Sequence, residues 1–332
     1  MSCKFLLTVA IAFFSFSVFA QRKVNQKPVP AEVKVSRLEN GVNTSASDFA
    51  PTRYGNRIYY TSIYKSEKDG NMVSRIYSFM EGGKKQLVDE LNMKQKSSHI
   101  SHVAFMPDAS RIYFTICRDD NQEDCQIWYR EKEFSGGWGV AERLPDFINQ
   151  RGSTSTQPAI GWDEEQKKFA LFFVSNRPGG RGGLDIWVSH INWKGEFETP
   201  YVLPINTEKD DVTPYFDRSS QILYFSTNGR EAQGGFDVFQ SVKKGDMWAP
   251  PTNLGRPINS AYDDLYYMKH EVSGKAYLTS DRPGSLCRGG NIDGWNCYDI
   301  YEVVRIGAFE MYSSKLGNEN STVMHEIEND EE

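Results

Sequence analysis

"LENGVN" spans Leu38–Asn43 and decides how the chain is read. The pattern of Leu, a short spacer, an aliphatic residue and Asn returns in "LVDELN" (Leu87–Asn92), "LPDFIN" (Leu144–Asn149), "LPIN" (Leu203–Asn206) and "LGRPIN" (Leu254–Asn259). Each later copy closes a stretch rich in strand-forming residues. The first copy closes nothing, because no such stretch precedes it. At the other end, "DIYEVVRIGAFEMYSS" finishes a strand-rich unit with no copy behind it. The displaced first copy therefore supplies the outer strand that the last unit lacks.

The units are visible in their strands. "IYYTS" (Ile58–Ser62), "IYFTI" (Ile112–Ile116), "LFFVS" (Leu171–Ser175), "LYFST" (Leu223–Thr227) and "AYLTS" (Ala276–Ser280) recur at steps of 54, 59, 52 and 53 residues, counted from Tyr60, Phe114, Phe173, Phe225 and Leu278. A second strand follows each: Arg75–Phe79, Gln126–Arg130, Asp185–Ser189, Asp237–Ser241 and Asp299–Val303. β-Branched and aromatic residues dominate both sets, as a pleated, half-buried surface favours. A shorter strand precedes each pair, as in "QPAIGW" (Gln157–Trp162), and a fourth leads into the Leu…Asn motif. One four-stranded sheet cannot cover both of its faces, whereas sheets stacked radially cover one another. The expectation is an all-β, five-bladed β-propeller of four-stranded antiparallel blades. The N-terminal strand pairs with the last blade and closes the ring, leaving no long open edge.

The ends read differently. "MSCKFLLTVAIAFFSFSVFA" has one Lys before an apolar run and small residues at its end, the pattern of a secretory signal peptide over residues 1–20. A linker over 21–30, a propeller over 31–312 and an acidic, disordered tail over 313–332 complete the expected division. No later run is long and apolar enough to cross a bilayer. The formal charge of -6 argues against a nucleic-acid partner.

Beyond the leader lie Cys117, Cys125, Cys287 and Cys297. An even count in an exported chain points to disulfides, and four thiols allow three pairings. Aligning the loops between second and third strands places Cys117 at the position of Asn176 and Cys125 at that of Leu184. The local pairing Cys117–Cys125 and Cys287–Cys297 follows. Zinc fits poorly, since no His neighbours either pair and the spacings are long.

The same loops, "SNRPGGRGGLD" (Ser175–Asp185), "STNGREAQGGFD" (Ser226–Asp237) and "SDRPG…CYD" (Ser280–Asp299), stack Arg118, Arg177 and Arg282. The connections between blades hold "EKDDVTP" (Glu208–Pro214) and "AYDDLYY" (Ala261–Tyr267). Repeated Arg and repeated Asp then share one face. They form either an inter-blade ring of ion pairs or a charged binding face of Arg118, Arg177, Arg282, Asp210, Asp211, Asp263 and Asp264.

The Arg-Pro-Gly-Gly…Gly-Gly-x-Asp-aromatic core resembles the TolB-type WD40-like propeller repeat, over roughly residues 50 to 305. The closest form is that of exported Bacteroidetes proteins of the OmpA-associated family. The resemblance implies a place in the periplasm or at the periplasmic face of the outer membrane, with an outer-membrane or periplasmic protein partner. Some relatives serve type IX secretion and gliding. No OmpA-like domain accompanies this propeller, which sets aside peptidoglycan anchoring. The resulting expectation is a non-catalytic interaction scaffold. The alternative is a five-bladed glycoside hydrolase or glycan-binding protein, with Asp48, Asp211 and Asp264 before the first strands of blades 1, 4 and 5 as its carboxylates. No cofactor or metal is expected; calcium in the acidic connections is the one considered. A Ser-His-Asp triad is excluded by five scattered His and no nucleophile elbow.

Overall fold

The computed structural model describes residues 32–306, apart from 40, 68–69, 93–97, 119–124, 271–272, 288–290 and 293–294. The leader, the linker and the acidic tail lie outside the described residues. Residues 32–306 form five antiparallel blades of a β-propeller. From the axis outward, blade 3 runs Ser155–Asp163 (strand A), Lys168–Ser175 (B), Asp185–Ile191 (C) and Tyr201–Val202 (D). Blades 1, 2 and 4 repeat this order, starting from strands A at Ser47–Tyr54, Ser98–Phe105 and Asp211–Asp217.

Blade 5 is assembled from both ends of the described chain. Asp264–Lys269, Ala276–Ser280 and Asp299–Ile306 give strands A to C, and Glu32–Arg37 is the outermost strand. Its register runs from Glu32 opposite Ile306 to Arg37 opposite Tyr301. The strand thus lies just before the Leu38–Asn43 motif, and the motif performs a separate task. Asn43 accepts from the amide of Ile300 at 2.7 Å and donates to its carbonyl at 2.8 Å. Asn92 does the same to Ile76, Asn149 to Ile127, Asn206 to Ile186 and Asn259 to Val238. A side-chain amide copies a peptide group, so Asn pairs with strand C where the short outer strand has turned away. Each bond removes a backbone group that burial would otherwise leave unpaired.

Neighbouring blades share their cores. Phe172, Val188, Leu203, Phe216 and Leu223 form one cluster between blades 3 and 4. Phe172 stacks on Phe216 with ring centres 5.3 Å apart and planes 12° apart. Gly161 makes room for that stack, since a Cβ there would fall 2.7 Å from Phe172 and 2.8 Å from Phe216. Both expected disulfides are present, Cys117–Cys125 and Cys287–Cys297.

Candidate functional site at the axis

Every strand A carries a bulge at the same height. The pairing of A with B slips between Phe49 and Thr52, Ser101 and Ala104, Thr156 and Ala159, Val212 and Tyr215, and Leu265 and Met268. At each slip one residue takes positive φ: Ala50 (55°), His102 (51°), Gln157 (54°), Thr213 (55°) and Tyr266 (52°). Non-glycine residues seldom adopt this conformation, and bulges re-aim side chains. Hydroxyls on the preceding blade support the turned amides. Ala50 donates to Thr279 Oγ1, His102 to Thr61 Oγ1 and Gln157 to Thr115 Oγ1, each at 3.2 Å. Blade 3 has Val174 where the others have a hydroxyl, and Gln157 Oε1 takes over, accepting from Thr213 N at 2.7 Å.

These residues divide the axis. His102 Nε2 and the Tyr266 hydroxyl meet at 2.8 Å, bridging blades 2 and 5 beside the small Ala50 of blade 1. The Ser101 hydroxyl faces His102 Nδ1 at 2.8 Å. The imidazole sits deep in the fold, and burial pushes its pKa down to about 3, so it is neutral at ordinary pH. Burial pushes the Tyr266 phenol up, so it stays protonated. Ser101 and His102 do not make a nucleophilic pair, because the far ring nitrogen meets a phenol and no carboxylate.

Above the bridge lies a cavity of 630 Å³, below it one of 510 Å³, and His102, Gln157, Thr213 and Tyr266 wall both. Phe49, Cys125, Leu184, Phe236, Tyr298 and Asp210 line the upper one. Leu184, Phe236 and Tyr298 hold equivalent positions just before or at the start of strand C. Their carbonyls accept from Asp211 N, Asp264 N and Asp48 N of the next blade at 2.7, 2.7 and 2.8 Å. Cys125 takes the same position in blade 2, where the disulfide anchors the loop base.

The paired acids are largely architectural. Asp48, Asp211 and Asp264 have no exposed surface. Each accepts from the amide four residues earlier, on Thr44, Thr207 and Ser260 at 2.7, 2.5 and 2.6 Å, and so ties its own turn. Burial raises all three pKa values, that of Asp48 to about 6. None of the three lines either cavity. At the start of strand A, each of the three expected carboxylates turns an oxygen into its own turn rather than into either cavity. The preceding acids reach across blades, Asp210 Oδ1 to Leu184 N at 2.8 Å and Asp263 Oδ1 to Phe236 N at 2.9 Å.

The arginines follow suit. Arg177 is buried and donates to Phe147 O, Ile148 O, Ser175 Oγ and Ser155 Oγ, with its guanidinium over Phe173 and Trp187. Arg282 binds Ile258 O and Asp264 over the Tyr301 ring. Arg118 is exposed. Of the expected binding face, Arg177, Asp211 and Asp264 are consumed inside the blades. Arg230 was missed by the alignment, yet it donates to Ile205 O at 2.5 Å, the carbonyl matching Ile148 and Ile258. Among the described residues no group of three or more His, Cys, Asp or Glu is placed to hold a metal ion.

No family model matches this chain, and no curated protein does. Solved structures do. A thermostable family-43 glycoside hydrolase aligns with a TM-score of 0.51 and 13% identity, over 81% of this chain and 92% of that one. An exo-β-1,3-galactanase from Clostridium thermocellum aligns with a TM-score of 0.50 and 12% identity, over 81% of this chain and 61% of that one. At such identities the likeness speaks for the fold. It nonetheless corrects three expectations: the TolB-type kinship with secretion accessories, the non-catalytic scaffold, and the absence of enzymatic function. In this chain the loop motif that suggested them serves blade packing: Arg177 and Asp185 are both engaged within blade 3.

Proposed function

We propose that this chain is a carbohydrate-active propeller that takes a glycan into the upper axial cavity. One observation carries the reading: a 630 Å³ chamber on the axis combines aromatic walls at Phe49, Phe236, Tyr266 and Tyr298 with polar groups of His102, Gln157, Thr213 and Asp210. Sugars present apolar CH faces and a dense set of hydroxyls, and need both kinds of wall. The enzymes sharing the fold act on glycosides, which supports this substrate class. Asp210 is the carboxylate of the upper lining and our candidate for the acid–base role. Protein-only hydrolysis uses two carboxylates about 5 to 9.5 Å apart. The described lining supplies one, so glycan capture is the part the geometry supports most directly.

Export belongs to the same proposal: the leader-like 1–20 and two disulfides suit an oxidising compartment. The test is a panel of neutral oligosaccharides and aryl glycosides, read by calorimetry and by release of reducing ends. Binding that weakens at least tenfold in Tyr298→Ala supports the cavity. Turnover lost in Asp210→Asn with binding retained assigns the acid. No binding and no turnover across the panel overturns the proposal.

A further inference from the structure

The lower cavity carries a charge imbalance that the architecture does not use. Its charged lining residues are Arg53 of blade 1, Arg218 of blade 4 and Lys269 of blade 5, and no carboxylate lines it. Lys269 is committed, with Nζ 2.7 Å from Asp217 Oδ2. The two guanidiniums have no hydrogen bond or ion pair among the described residues. Arg53 Nε is also shut away from solvent without an acceptor.

Arg37, Arg130 and Arg230 also bury an Nε without an acceptor, but of these four only Arg53 lines either axial cavity; elsewhere guanidiniums find partners. Arg57 donates to Ser78 and Gln86, and Arg111 to Glu131 and Gly195 O. A secluded guanidinium N–H without an acceptor is unfavourable, by about 1–3 kcal/mol or more. Such a group is held ready when a ligand supplies the acceptor. Part of the lining is aromatic: Tyr54 of blade 1 stacks on Phe105 of blade 2 with centres 4.3 Å apart and planes 9° apart, and Tyr215 of blade 4 lines the same cavity.

We propose that the lower cavity binds an organic oxyanion, a carboxylate or phosphate carried on a flat ring. The planar guanidinium fork of Arg53 or Arg218 donates two N–H bonds to two oxygens of such a group. The Tyr54–Phe105 wall covers the ring, and 510 Å³ accommodates it. Lys269 adds positive potential, and Asp217 fixes its position. This site lies on the far side of the His102–Tyr266 bridge and stands independently of the glycan reading.

The experiment titrates the full chain with benzoate, phenyl phosphate and neutral benzamide, followed by calorimetry. At least one anion binds saturably at one site per chain, benzamide does not, and whichever anion binds tells carboxylate from phosphate. The double variant Arg53→Gln/Arg218→Gln weakens binding at least tenfold, and 0.5 M NaCl weakens it in the parent. If that variant fails to fold, Arg218→Gln alone, at an exposed position, loses at least threefold. Failure of both anions to bind, equal binding of benzamide, or unchanged affinity in a folded variant overturns the proposal. Glycan affinity of the upper cavity is unaffected by either variant.

Discussion

His102 Nε2 lies 2.8 Å from the Tyr266 hydroxyl, a contact that joins blades 2 and 5 among the residues walling both chambers. Burial disfavours the protonated imidazole and pushes its pKa down to about 3. The unfolded chain binds a proton on this residue below about pH 6.5. The folded protein does not until about pH 3, so this residue's contribution to stability falls as pH drops through that window. The imidazole resonances should therefore show no titration between pH 5 and 8 by NMR. A midpoint near 6.5 in the folded protein contradicts the burial of this imidazole.

Asn149 binds both the amide and the carbonyl of Ile127, and its amide also donates to Leu144 O at 3.1 Å. Asn149→Ala leaves buried backbone groups unpaired and should destabilise by about 2–4 kcal/mol in urea unfolding. Asn43→Ala should act on blade 5 in the same way, and hydrogen exchange should rise first at Ile300. Equal protection of that amide in variant and parent would exclude the locking role.

Two buried aspartates should give opposite pH signatures. Burial pulls Asp217 upward, but hydrogen bonds from Lys269, Ser219 and Ser220 outweigh it and lower its pKa to about 2. Its stabilising contribution is complete above the unfolded value and lost as pH falls from about 4 to 2, some ~2 kcal/mol in all. Asp48 is raised to about 6, so the folded state gains a proton first. Its contribution is full below about pH 4, falls by about 3 kcal/mol as pH rises from 4 to 6, and changes no further above that. Asp48→Asn should flatten the second trend, and Lys269→Met the first. Chemical denaturation from pH 2 to 8 measures both.

Gly161→Ala drives a Cβ into the stacked rings of Phe172 and Phe216. Both rings are buried and cannot yield. The expected loss is about 1–3 kcal/mol, visible as a lower Tm. An unchanged Tm shows that the ring pair can shift.

Reduction of the two disulfides should lower stability by about 2.5 kcal/mol each, from the loop-closure entropy of short loops. The Cys117→Ser/Cys125→Ser variant should also loosen the wall of the upper cavity, since both residues line it. Glycan affinity would then fall more in this variant than in Cys287→Ser/Cys297→Ser.

Much of the architecture is written in repetition. In-register copies of strands B and C reveal the blade number, the displaced motif reveals ring closure, and loop alignment reveals the disulfides. The motif's chemistry was not legible: an Asn recurring after an aliphatic residue looks like a turn, and only the pairing with strand C explains it. The site was less legible still. Ala50, His102, Gln157, Thr213 and Tyr266 share a conformation but no residue type, so no spacing marks them. The doubled Asp drew notice for its charge. Asp210, just before the strand, reaches a neighbouring blade, while Asp211, its first residue, closes its own turn. Where the strand begins separates the cavity acid from the buried one, and the doubled Asp alone does not mark that point.

The outermost strand of blade 5 has a consequence for biogenesis. Glu32–Arg37 is made early, while its partner Asp299–Ile306 is among the last described residues to emerge. At about 5–20 residues per second, the first strand waits roughly 15–55 s for its mate. During that interval four blades can mature, and a hydrogen-bonding edge stays unclaimed at each end of a nascent arc. Chaperone protection, if this chain needs any, is needed there and then.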